Sequence, residues 1–363
     1  MSKDIIIAAV GDLLMKPLLI RSMLDNDKTG GLAGQNNGQY NFEQAFERVA
    51  PYLQNAHLTI GNLETTFAGG TDEDYTKTRR NPKNRYPLFN CPDQFASALQ
   101  KVGFNVLATA NNHCMDYGVN GLIRTLDVLD KNGIAHTGTY RSREESRSLC
   151  VQEVGGVRVG IVSYTRGTNG IPVPKGQPAG VKKIIRTNIS EDLKRLRAIS
   201  DFIIVCIHFG HEYHRNPAAH QKELVRFLFH HGADVVLGSH PHVLQPAICR
   251  TVKDIGGRTR KRFAIYSLGN FITTRLHGKD DVLTGMIVRI KLQKTPRDFV
   301  RLAGVDYIPT WVCITKDGNL SKYRIVPIQE ALKVPEGSFA GQMDRMKRAY
   351  RNTLHMYKDT LPM

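Results

Sequence analysis

Two histidines separated by one residue, His240 and His242, follow an apolar run that ends in Gly238 and Ser239. The β-branched residues 235–236 predict a buried parallel strand, and sites in α/β folds form just beyond the carboxyl ends of such strands. Two imidazoles held on the turn that follows would suit a zinc, manganese or iron ion. The alternative is a polar loop with two incidental histidines, because short motifs often match by chance.

Four other apolar runs end in polar residues that could bind the same ion. These residues are Asp12, Glu64, Asn112 and His208, which follow residues 5–10, 58–60, 106–110 and 202–207. With the two histidines they make a mixed set of carboxylates, an amide and imidazoles, which suits one or two divalent ions of the manganese, iron or zinc type. Carboxylate bridging would place two ions roughly 3.5–4 Å apart, where they could clamp a hydrolytic transition state. We therefore predict that the six side chains share one cavity, although Asp12 alone would also suit a helix N-cap.

His113 follows the predicted amide ligand and is left over from the ligand set. We predict that it is a general acid or an electrostatic stabiliser, and that Asp116 orients its ring as carboxylates orient imidazoles around metals.

Six further polar residues are predicted to bind substrate: Asn62, Arg79, Arg80, His211, Glu212 and Asn270. The two arginines lie in the long polar segment 66–92, which we expect to be a substrate loop or, alternatively, a surface insert. Asn270 would equally suit a turn.

The elements that could position these residues follow from the apolar spacing. Amphipathic patterns predict helices over residues 41–55, 92–102, 119–131, 190–198 and 218–231, and a basic helical pattern begins at Gly337. Residues 150–154 and 157–164 predict a hairpin, and residues 286–292 and 307–315 alternate as late strands. Strands that alternate with helices over most of the chain place it in the α/β class.

The composition is that of a globular protein, with 363 residues of which 41% are hydrophobic and 23% charged. No apolar stretch is long enough to span a bilayer, and the short run at residues 5–10 is a poor signal peptide. The chain as given is therefore predicted to be cytoplasmic, the alternative being an export signal that has been trimmed. The six cysteines are scattered without a C-x-x-C pair, which favours reduced thiols over a disulfide framework.

The formal charge of +17 favours anionic partners, which include nucleic acid, phosphorylated molecules, acidic polymers and membrane surfaces. Basic residues cluster within residues 79–85, 182–186 and 258–262. No helix-turn-helix, zinc-finger or aromatic RNA-binding signature accompanies the charge, so nucleic acid is disfavoured as the partner. For any one cluster, a generally basic and solvated surface is the simpler interpretation.

Six motifs, in order along the chain, carry a resemblance to a known family. They are Gly11-Asp12, Asn62-Leu63-Glu64-Thr65, Ala110-Asn111-Asn112-His113 with Asp116-Tyr117-Gly118, His208-Phe209-Gly210 with Glu212-Tyr213, Gly238-Ser239-His240-Pro241-His242 with Gln245-Pro246, and Tyr266-Ser267-Leu268-Gly269-Asn270-Phe271. Over residues 5–271 the chain resembles the bacterial capsule-synthesis family associated with poly-γ-glutamate, the CapA type. That family is a branch of the calcineurin-like metallophosphoesterases.

The resemblance implies a four-layer α/β/β/α sandwich with a two-metal site at one edge. In that pattern Asp12 resembles the first-motif aspartate, Glu64 the bridging carboxylate, Asn112 the amide ligand, His113 the catalytic histidine, His208 and His240 ligands of one ion, and His242 a ligand of the other. Departures from the general phosphoesterase pattern are Leu14 in place of a histidine, Asn62 in place of an aspartate and Cys114 in place of a frequent acidic residue. The first ion's site is therefore expected to be poorer in ligands.

Three functions remain compatible with these residues. The first is metal-dependent hydrolysis of a phosphate or related ester, and the second is an enzymatic step on poly-γ-glutamate or a related acidic polymer. The third is non-catalytic binding of a polyanion in a capsule-synthesis or export assembly. A pure binding module has no need of His113 beside a metal cluster, which favours the hydrolase. Residues 1–330 are expected to form one domain with an insertion near 66–92, and residues 331–363 a helical extension.

Overall fold

Two β-sheets pack face to face and carry helices on their outer faces, so that the chain forms four layers. The computed structural model describes residues 4–24, 39–276, 278–295, 299–317, 320–334, 339 and 341–358. Both faces of each sheet carry buried apolar side chains. Each sheet therefore needs a partner layer on either side, which is why the helices cover the outer faces.

The strands, numbered along the chain, are β1 (Ile5–Leu13), β2 (Leu58–Leu63), β3 (Arg79–Arg80), β4 (Pro87–Leu88), β5 (Val106–Ala108), β6 (Ala135–Thr137), β7 (Thr139–Tyr140), β8 (Cys150–Val154), β9 (Val157–Thr165), β10 (Gly180–Val181), β11 (Phe202–His208), β12 (Val235–Ser239), β13 (Leu244–Lys253), β14 (Thr259–Leu268), β15 (Asn270–Ile272), β16 (Thr284–Lys294), β17 (Val300–Asp317) and β18 (Leu320–Pro327).

The α-helices are α1 (Pro17–Arg21), α2 (Ala50–Gln54), α3 (Asp72–Thr76), α4 (Gln94–Lys101), α5 (Gly118–Lys131), α6 (Arg143–Arg147), α7 (Arg186–Ile199), α8 (Ala219–His230), α9 (Ile328–Ala331) and α10 (Met343–Tyr357). Short 3₁₀ helices lie at Glu43–Ala45 and Asp281–Leu283. Within the described ranges, no helix combines the length and the apolar character needed to cross a bilayer.

The first sheet has the strand order β18-β17-β16-β1-β2-β5-β6, with β15 paired beside β1. Strands β1, β2, β5 and β6 are parallel, whereas β16, β17 and β18 each run antiparallel to their neighbours. The second sheet has the order β13-β14-β12-β11-β9-β8, with β14, β12, β11 and β9 parallel. Oε1 of Glu64, just beyond β2, lies 3.4 Å from Nε2 of His208 at the end of β11, so the strand ends of the two sheets meet at one edge.

The layer between the sheets is apolar. Ile7 and Ile60 of the first sheet belong to the same buried cluster as Ile161, Ile204 and Val235 of the second. Strands buried on both faces consist of near-continuous apolar residues, which explains the unbroken runs in the sequence. The outer face of the first sheet packs mainly against α4, α5 and α10, and the outer face of the second packs against α7 and α8.

Two glycines bring backbones together beside the strand ends. The chain passes from the second sheet to the first at Gly269, between β14 and β15. A Cβ on Gly11 would lie 1.9 Å from the carbonyl oxygen of Gly269, and a Cβ on Gly238 would lie 2.0 Å from that of Tyr266. Neither position has space for a side chain, so glycine is required at both motifs for the backbones to approach each other.

Three predicted elements differ from the structure. The helix expected over residues 41–55 is replaced by a 3₁₀ turn and the short α2, because Pro51 is accommodated only in the first turn of a helix. Residues 66–92, expected to be a long loop, contain α3 and the β3–β4 hairpin. The helix predicted from residue 190 begins earlier, at Arg186.

The carboxyl-terminal part of the chain packs on the same core. Helix α10 lies within the segment predicted to be basic and helical, whereas Gly337, where that prediction began, lies outside the described residues. Tyr357 is buried, its ring stacks on that of Tyr307 with centroids 4.9 Å apart, and its hydroxyl donates to the carbonyl of Gln245 (2.7 Å). The domain division at residue 330 stays a prediction.

Candidate metal centre

The polar residues of the motifs lie at the ends of the central strands. β1 contains Asp12, which pairs in register with Asn62 of β2, and β2 ends one residue before Glu64. β11 ends at His208, and β12 ends one residue before His240. Because β1 and β2 belong to one sheet and β11 and β12 to the other, the candidate site lies between the two sheets at their shared edge.

Two groups of ligand atoms share one carboxylate. Glu64, His208 and His240 form one group, and Asp12, Glu64 and His242 form the other, with the ligand atoms of each group within 4.8 Å of one another. Oε1 of Glu64 lies 3.4 Å from Nε2 of His208 and 3.8 Å from Nε2 of His242. Nδ1 of His242 lies 3.1 Å from Oδ2 of Asp12. The arrangement is suited to two neighbouring cation sites with Glu64 between them.

The turn that carries His240 and His242 has an unusual backbone. Both residues have positive φ angles, 96° and 57°, in a region that few residues other than glycine adopt. The carbonyl of Pro241 between them accepts a hydrogen bond from the backbone N–H of Tyr213 (2.7 Å), which ties the turn to the segment after β11. The turn brings the two imidazole centroids to 6.1 Å from each other. Strained backbone of this kind concentrates at functional sites.

Burial and neighbouring charges shift the pKa values of the carboxylates and imidazoles in the cluster. Burial lowers the pKa of His208 to about 3 and that of His240 to about 2, so both are neutral imidazoles that can bind a cation. Burial, together with the charge of Asp12, raises the pKa of Glu64 to about 8. Burial also acts to lower the pKa of His242, but Glu64 and Asp12 outweigh it and raise this pKa to about 9. In the absence of a cation, the Glu64–His242 pair therefore retains at least one proton at neutral pH.

Among the described residues, four buried polar atoms of the predicted ligands have no hydrogen-bond partner: Oε1 of Glu64, Nε2 of His208, Nδ1 of His240 and Oδ1 of Asn112. A buried polar atom without a partner is costly, and in native proteins it often marks a bound water or ion. Carboxylate oxygen, imidazole nitrogen and amide oxygen are all ligands of manganese, iron or zinc. The residues present therefore fit divalent cations.

His113 forms a buried pair with Asp116. Its Nδ1–H donates to Oδ2 of Asp116 (2.7 Å), which also accepts the backbone N–H of Phe89 (2.7 Å). The imidazole packs against the Phe89 ring, with centroids 4.2 Å apart. Burial raises the pKa of Asp116, and the neighbouring His113 offsets part of that rise. Because the pair occupies Nδ1, Nε2 is the ring nitrogen that can exchange a proton with a ligand.

The amide of Asn112 is held by a distant residue. Nδ2 of Asn112 donates to Oδ1 of Asn169 (3.2 Å), and Nδ2 of Asn169 lies 3.4 Å from Nε2 of His113. The adjacent Asn111 donates to the backbone carbonyl of Leu63 (2.7 Å), which fixes this turn beside the end of β2. These bonds use the nitrogen of Asn112 and leave its oxygen for a cation. Its role as a ligand stays a prediction.

Asn62 and Asn270, which were predicted to bind substrate, instead contact the cluster itself. Nδ2 of Asn62 donates to Oδ1 of Asp12 (2.8 Å). Nδ2 of Asn270 donates to the carbonyls of His242 (3.1 Å) and Val282 (2.9 Å), and its Oδ1 lies 3.0 Å from Nδ1 of His242. Both amides are buried and are placed to orient Asp12 and His242, and their role in substrate binding stays a prediction.

A pocket of about 390 Å³ opens beside the cluster and separates the remaining predicted substrate residues. Its lining includes His113, His242, Arg80 and Glu212. Arg79 lies outside this lining and forms an ion pair with Asp74 on the surface. His211 is exposed and also lies outside the lining. The structure therefore brings Arg80 and Glu212 to this pocket and leaves Arg79 and His211 outside its lining, and the substrate-binding role of all four stays a prediction.

Lys16 and Asn169 are site residues that the sequence analysis missed. Lys16, four residues after Asp12, lines the same pocket. Its signal in the sequence is a single charge among the otherwise apolar residues 13–20, next to a predicted ligand. Asn169 carries no comparable signal, because it lies in a loop rich in glycine and proline and reaches His113 only through tertiary contacts.

The model of the family described as "Bacterial capsule synthesis protein PGA_cap" matches residues 6–275. The chain belongs to this family. Within the family, capsule biosynthesis protein CapA of Bacillus anthracis is 28% identical over 238 residues, which are 64% of this chain and 54% of that protein. PGA biosynthesis protein CapA of Bacillus subtilis (strain 168) is 29% identical over 235 residues, 63% of this chain and 57% of that protein. The chain thus spans little more than half the length of these relatives.

A solved structure supports the fold of this family member. NAD nucleotidase (NadN) of Haemophilus influenzae superposes on 97% of this chain and 60% of its own, with a TM-score of 0.51 and 11% sequence identity. At that identity the likeness concerns the fold alone. The predicted α/β class and the four-layer α/β/β/α sandwich are confirmed, as is the predicted capsule-synthesis family.

Proposed function

We propose that this protein is a metal-dependent hydrolase that acts on an anionic substrate of capsule biosynthesis. The observation that carries the proposal is the membership of Glu64 in both ligand groups, in a buried cluster beside the His113–Asp116 pair. A carboxylate between two cation sites is a device of enzymes that hydrolyse phosphate esters and amides. A module that only binds a polymer would not need it.

Each group at the site has a role in this proposal. Glu64, His208 and His240 hold one divalent ion of the manganese, iron or zinc type, and Asp12, Glu64 and His242 hold a second. Asn112 adds its amide oxygen. Such ions, when bound, supply Lewis-acid charge to the substrate and lower the pKa of water.

The leaving group receives its proton from His113 in this proposal. Asp116 fixes the imidazole so that Nδ1 is occupied and Nε2 is presented for proton transfer. Arg80 and Glu212 contact the parts of the substrate that extend along the pocket.

The substrate is proposed to be a phosphoester or a compound related to poly-γ-glutamate. The positive charges support an anionic substrate, and the names of the two Bacillus relatives, which refer to capsule biosynthesis and PGA biosynthesis, support a step in the making of a capsule polymer. Both substrate types place an electrophilic phosphorus or carbonyl centre next to negative charge. The pocket is suited to either.

Metal analysis followed by a substrate panel tests this function. The protein is purified without chelator, supplemented with manganese, iron or zinc, and assayed on phosphomonoesters, phosphodiesters and γ-glutamyl amides. We expect hydrolysis of one class, which chelator and His240→Ala both abolish. Protein that stays metal-free under all three supplements would show that the hydrolase assignment is wrong.

A non-catalytic role is the second candidate, because the chain carries a charge of +17. In that role it would bind a polyanion within a capsule-synthesis assembly. Substitution of His113 discriminates between the two. It abolishes turnover in a hydrolase and leaves polyanion binding unchanged in a binding component.

A further inference from the structure

Lys16 is a cation inside the candidate active-site pocket. It follows β1 at the point where the chain leaves the sheet, and it lines the pocket together with Arg80, His113 and His242. Its side chain is half-buried, with Nζ 5.9 Å from the centroid of the Phe89 ring that also packs against His113. The ammonium of Lys16 forms no hydrogen bond or ion pair with any residue that the structure describes.

The surroundings of Lys16 do not compensate its charge fully. Burial lowers the pKa of Lys16 to about 8, although Glu64 and Glu212 act to raise it, and the nearby Arg80 adds to the lowering. A cation in partial burial without a paired anion is unfavourable on its own. An anionic ligand at this position would remove that cost.

Arg80 provides the second cation and is held in place by backbone. Its Nη1 donates to the carbonyl of Arg85 (3.0 Å) across the β3–β4 hairpin, and it forms no ion pair with a carboxylate in the described part of the chain. Its neighbour Arg79 is neutralised by Asp74 and lies outside the pocket. Of these two adjacent residues only Arg80 lines the pocket, because successive side chains of a strand point to opposite faces.

We propose that Lys16 and Arg80 form a second anion subsite, which binds a carboxylate or phosphate group of the substrate other than the group that reacts at the metal centre. The existence of a separate reacting group at the metal centre rests on the proposed function, whereas the subsite itself is defined by the two cations. The substrate class is therefore a molecule with at least two acidic groups in succession.

The rest of the pocket agrees with that class of ligand. Leu18 and Tyr86, which are 66% and 48% exposed, line its mouth and provide apolar contact for the atoms that join two acidic groups. Glu212 lines the same pocket and carries the opposite charge, so it repels acidic groups from its own side and favours their binding at Lys16 and Arg80. A substrate whose single charged group reacts at the metal centre would leave both cations without a partner.

Binding measurements on four variants test the subsite without any need for turnover. The probes are two matched peptides, tri-glutamate and tri-phosphoserine, so that a preference between them identifies the acidic group. Affinities for Lys16→Met, Lys16→Arg, Arg80→Gln and Arg79→Gln are measured by calorimetry on the full chain, with manganese and again after dialysis against EDTA. Lys16→Met keeps the apolar stem of the side chain and removes only the charge.

We expect Lys16→Met and Arg80→Gln each to weaken binding of the preferred probe about tenfold or more, with a reduced salt dependence. Lys16→Arg should retain more affinity than Lys16→Met, and Arg79→Gln should stay within about twofold of wild type, as exposed ion pairs contribute little. The loss should persist after EDTA, which separates the subsite from the metal centre.

Three results would overturn the subsite. In the first, wild-type protein binds neither peptide. In the second, Lys16→Met protein has an unchanged melting temperature and binds both peptides as tightly as wild type does. In the third, Arg79→Gln protein loses as much affinity as Arg80→Gln protein. The last would assign binding to diffuse surface charge. If the protein had no hydrolase activity but its variants lost peptide affinity as expected, the subsite would still be supported. The test of the subsite is therefore independent of catalysis.

Discussion

Oε1 of Glu64 lies 3.4 Å from Nε2 of His208, yet neither atom has a hydrogen-bond partner in the described chain. The two residues come from different sheets, Glu64 from the end of β2 and His208 from the end of β11. Lone pairs from both sheets therefore converge on one position. A cation at that position would satisfy both atoms, which makes Glu64 and His208 the first residues to test.

Removal of the shared ligand should affect both ions, whereas removal of an unshared ligand should affect one. With added manganese we expect about two ions per wild-type chain, about one for His240→Ala, and almost none for Glu64→Gln, since Glu64 belongs to both ligand groups. The measurement is metal content after gel filtration, by inductively coupled plasma mass spectrometry.

His136→Ala is the matched control for this series. His136 is partly buried and contacts Asp130 through Nε2 (3.1 Å), away from the cluster, so its loss should leave the metal content at the wild-type value. If Glu64→Gln retained as many ions as wild type, Glu64 would not be the shared ligand.

Metal affinity should rise with pH through the neutral range. Without a cation, the pKa of Glu64 is about 8 and that of His242 about 9, so this pair holds at least one proton at pH 7 that a cation must displace. Affinity should therefore increase between pH 6.5 and 9, with roughly one to two protons released per chain at pH 7. Calorimetry in buffers of different ionisation enthalpy measures the release. A pH-independent affinity with no proton release would contradict the assignment of these two ligands.

Gly11→Ala should destabilise the fold and weaken metal binding together. The new Cβ would meet the carbonyl oxygen of Gly269 at 1.9 Å, and the same oxygen accepts the backbone N–H of Asp12 (3.0 Å). Overpacking of this kind costs about 1–3 kcal/mol of unfolding free energy, and the backbone shift would displace Asp12. Urea unfolding and manganese titration measure the two effects. Gly167→Ala is the control, because a Cβ there meets nothing within 4 Å.

Much of the cluster was predictable because its residues follow strong local patterns. Apolar runs identify the strands, and a polar residue within a few positions of the end of a run must lie near the strand end. Asp12, Glu64, His208, His240 and His242 are all of this kind, and the structure brings them together. Their assignment to particular ions came from the resemblance and stays a prediction.

Other features depend on tertiary contacts that no local pattern encodes. Arg79 and Arg80 are equivalent in the sequence, but the β3–β4 hairpin, which was predicted to be loop, sends them in different directions. Asn169 reaches Asn112 across 57 positions of sequence. Asn62 and Asn270 were predicted to bind substrate, and only the fold shows that their amides form hydrogen bonds with Asp12 and His242.

His113 and Asp116 should act as one unit in turnover. In the proposed mechanism His113→Ala removes the group that transfers the proton, so kcat should fall by about 10²–10⁴ while metal content stays at the wild-type value. Asp116→Asn should lower kcat less, because the imidazole remains but loses its charged partner at Nδ1.

The double variant His113→Ala/Asp116→Asn decides whether Asp116 works through His113. If Asp116 only orients and polarises the imidazole, its replacement has nothing left to affect once His113 is gone, and the double variant should be no slower than His113→Ala alone. Losses that multiply would instead give Asp116 an independent role, for example in holding the backbone of Phe89, whose N–H it also accepts. Calorimetric melting separates that role, since a structural loss lowers the melting temperature of both Asp116 variants alike. Wild-type turnover in His113→Ala would remove the basis for assigning proton transfer to this histidine.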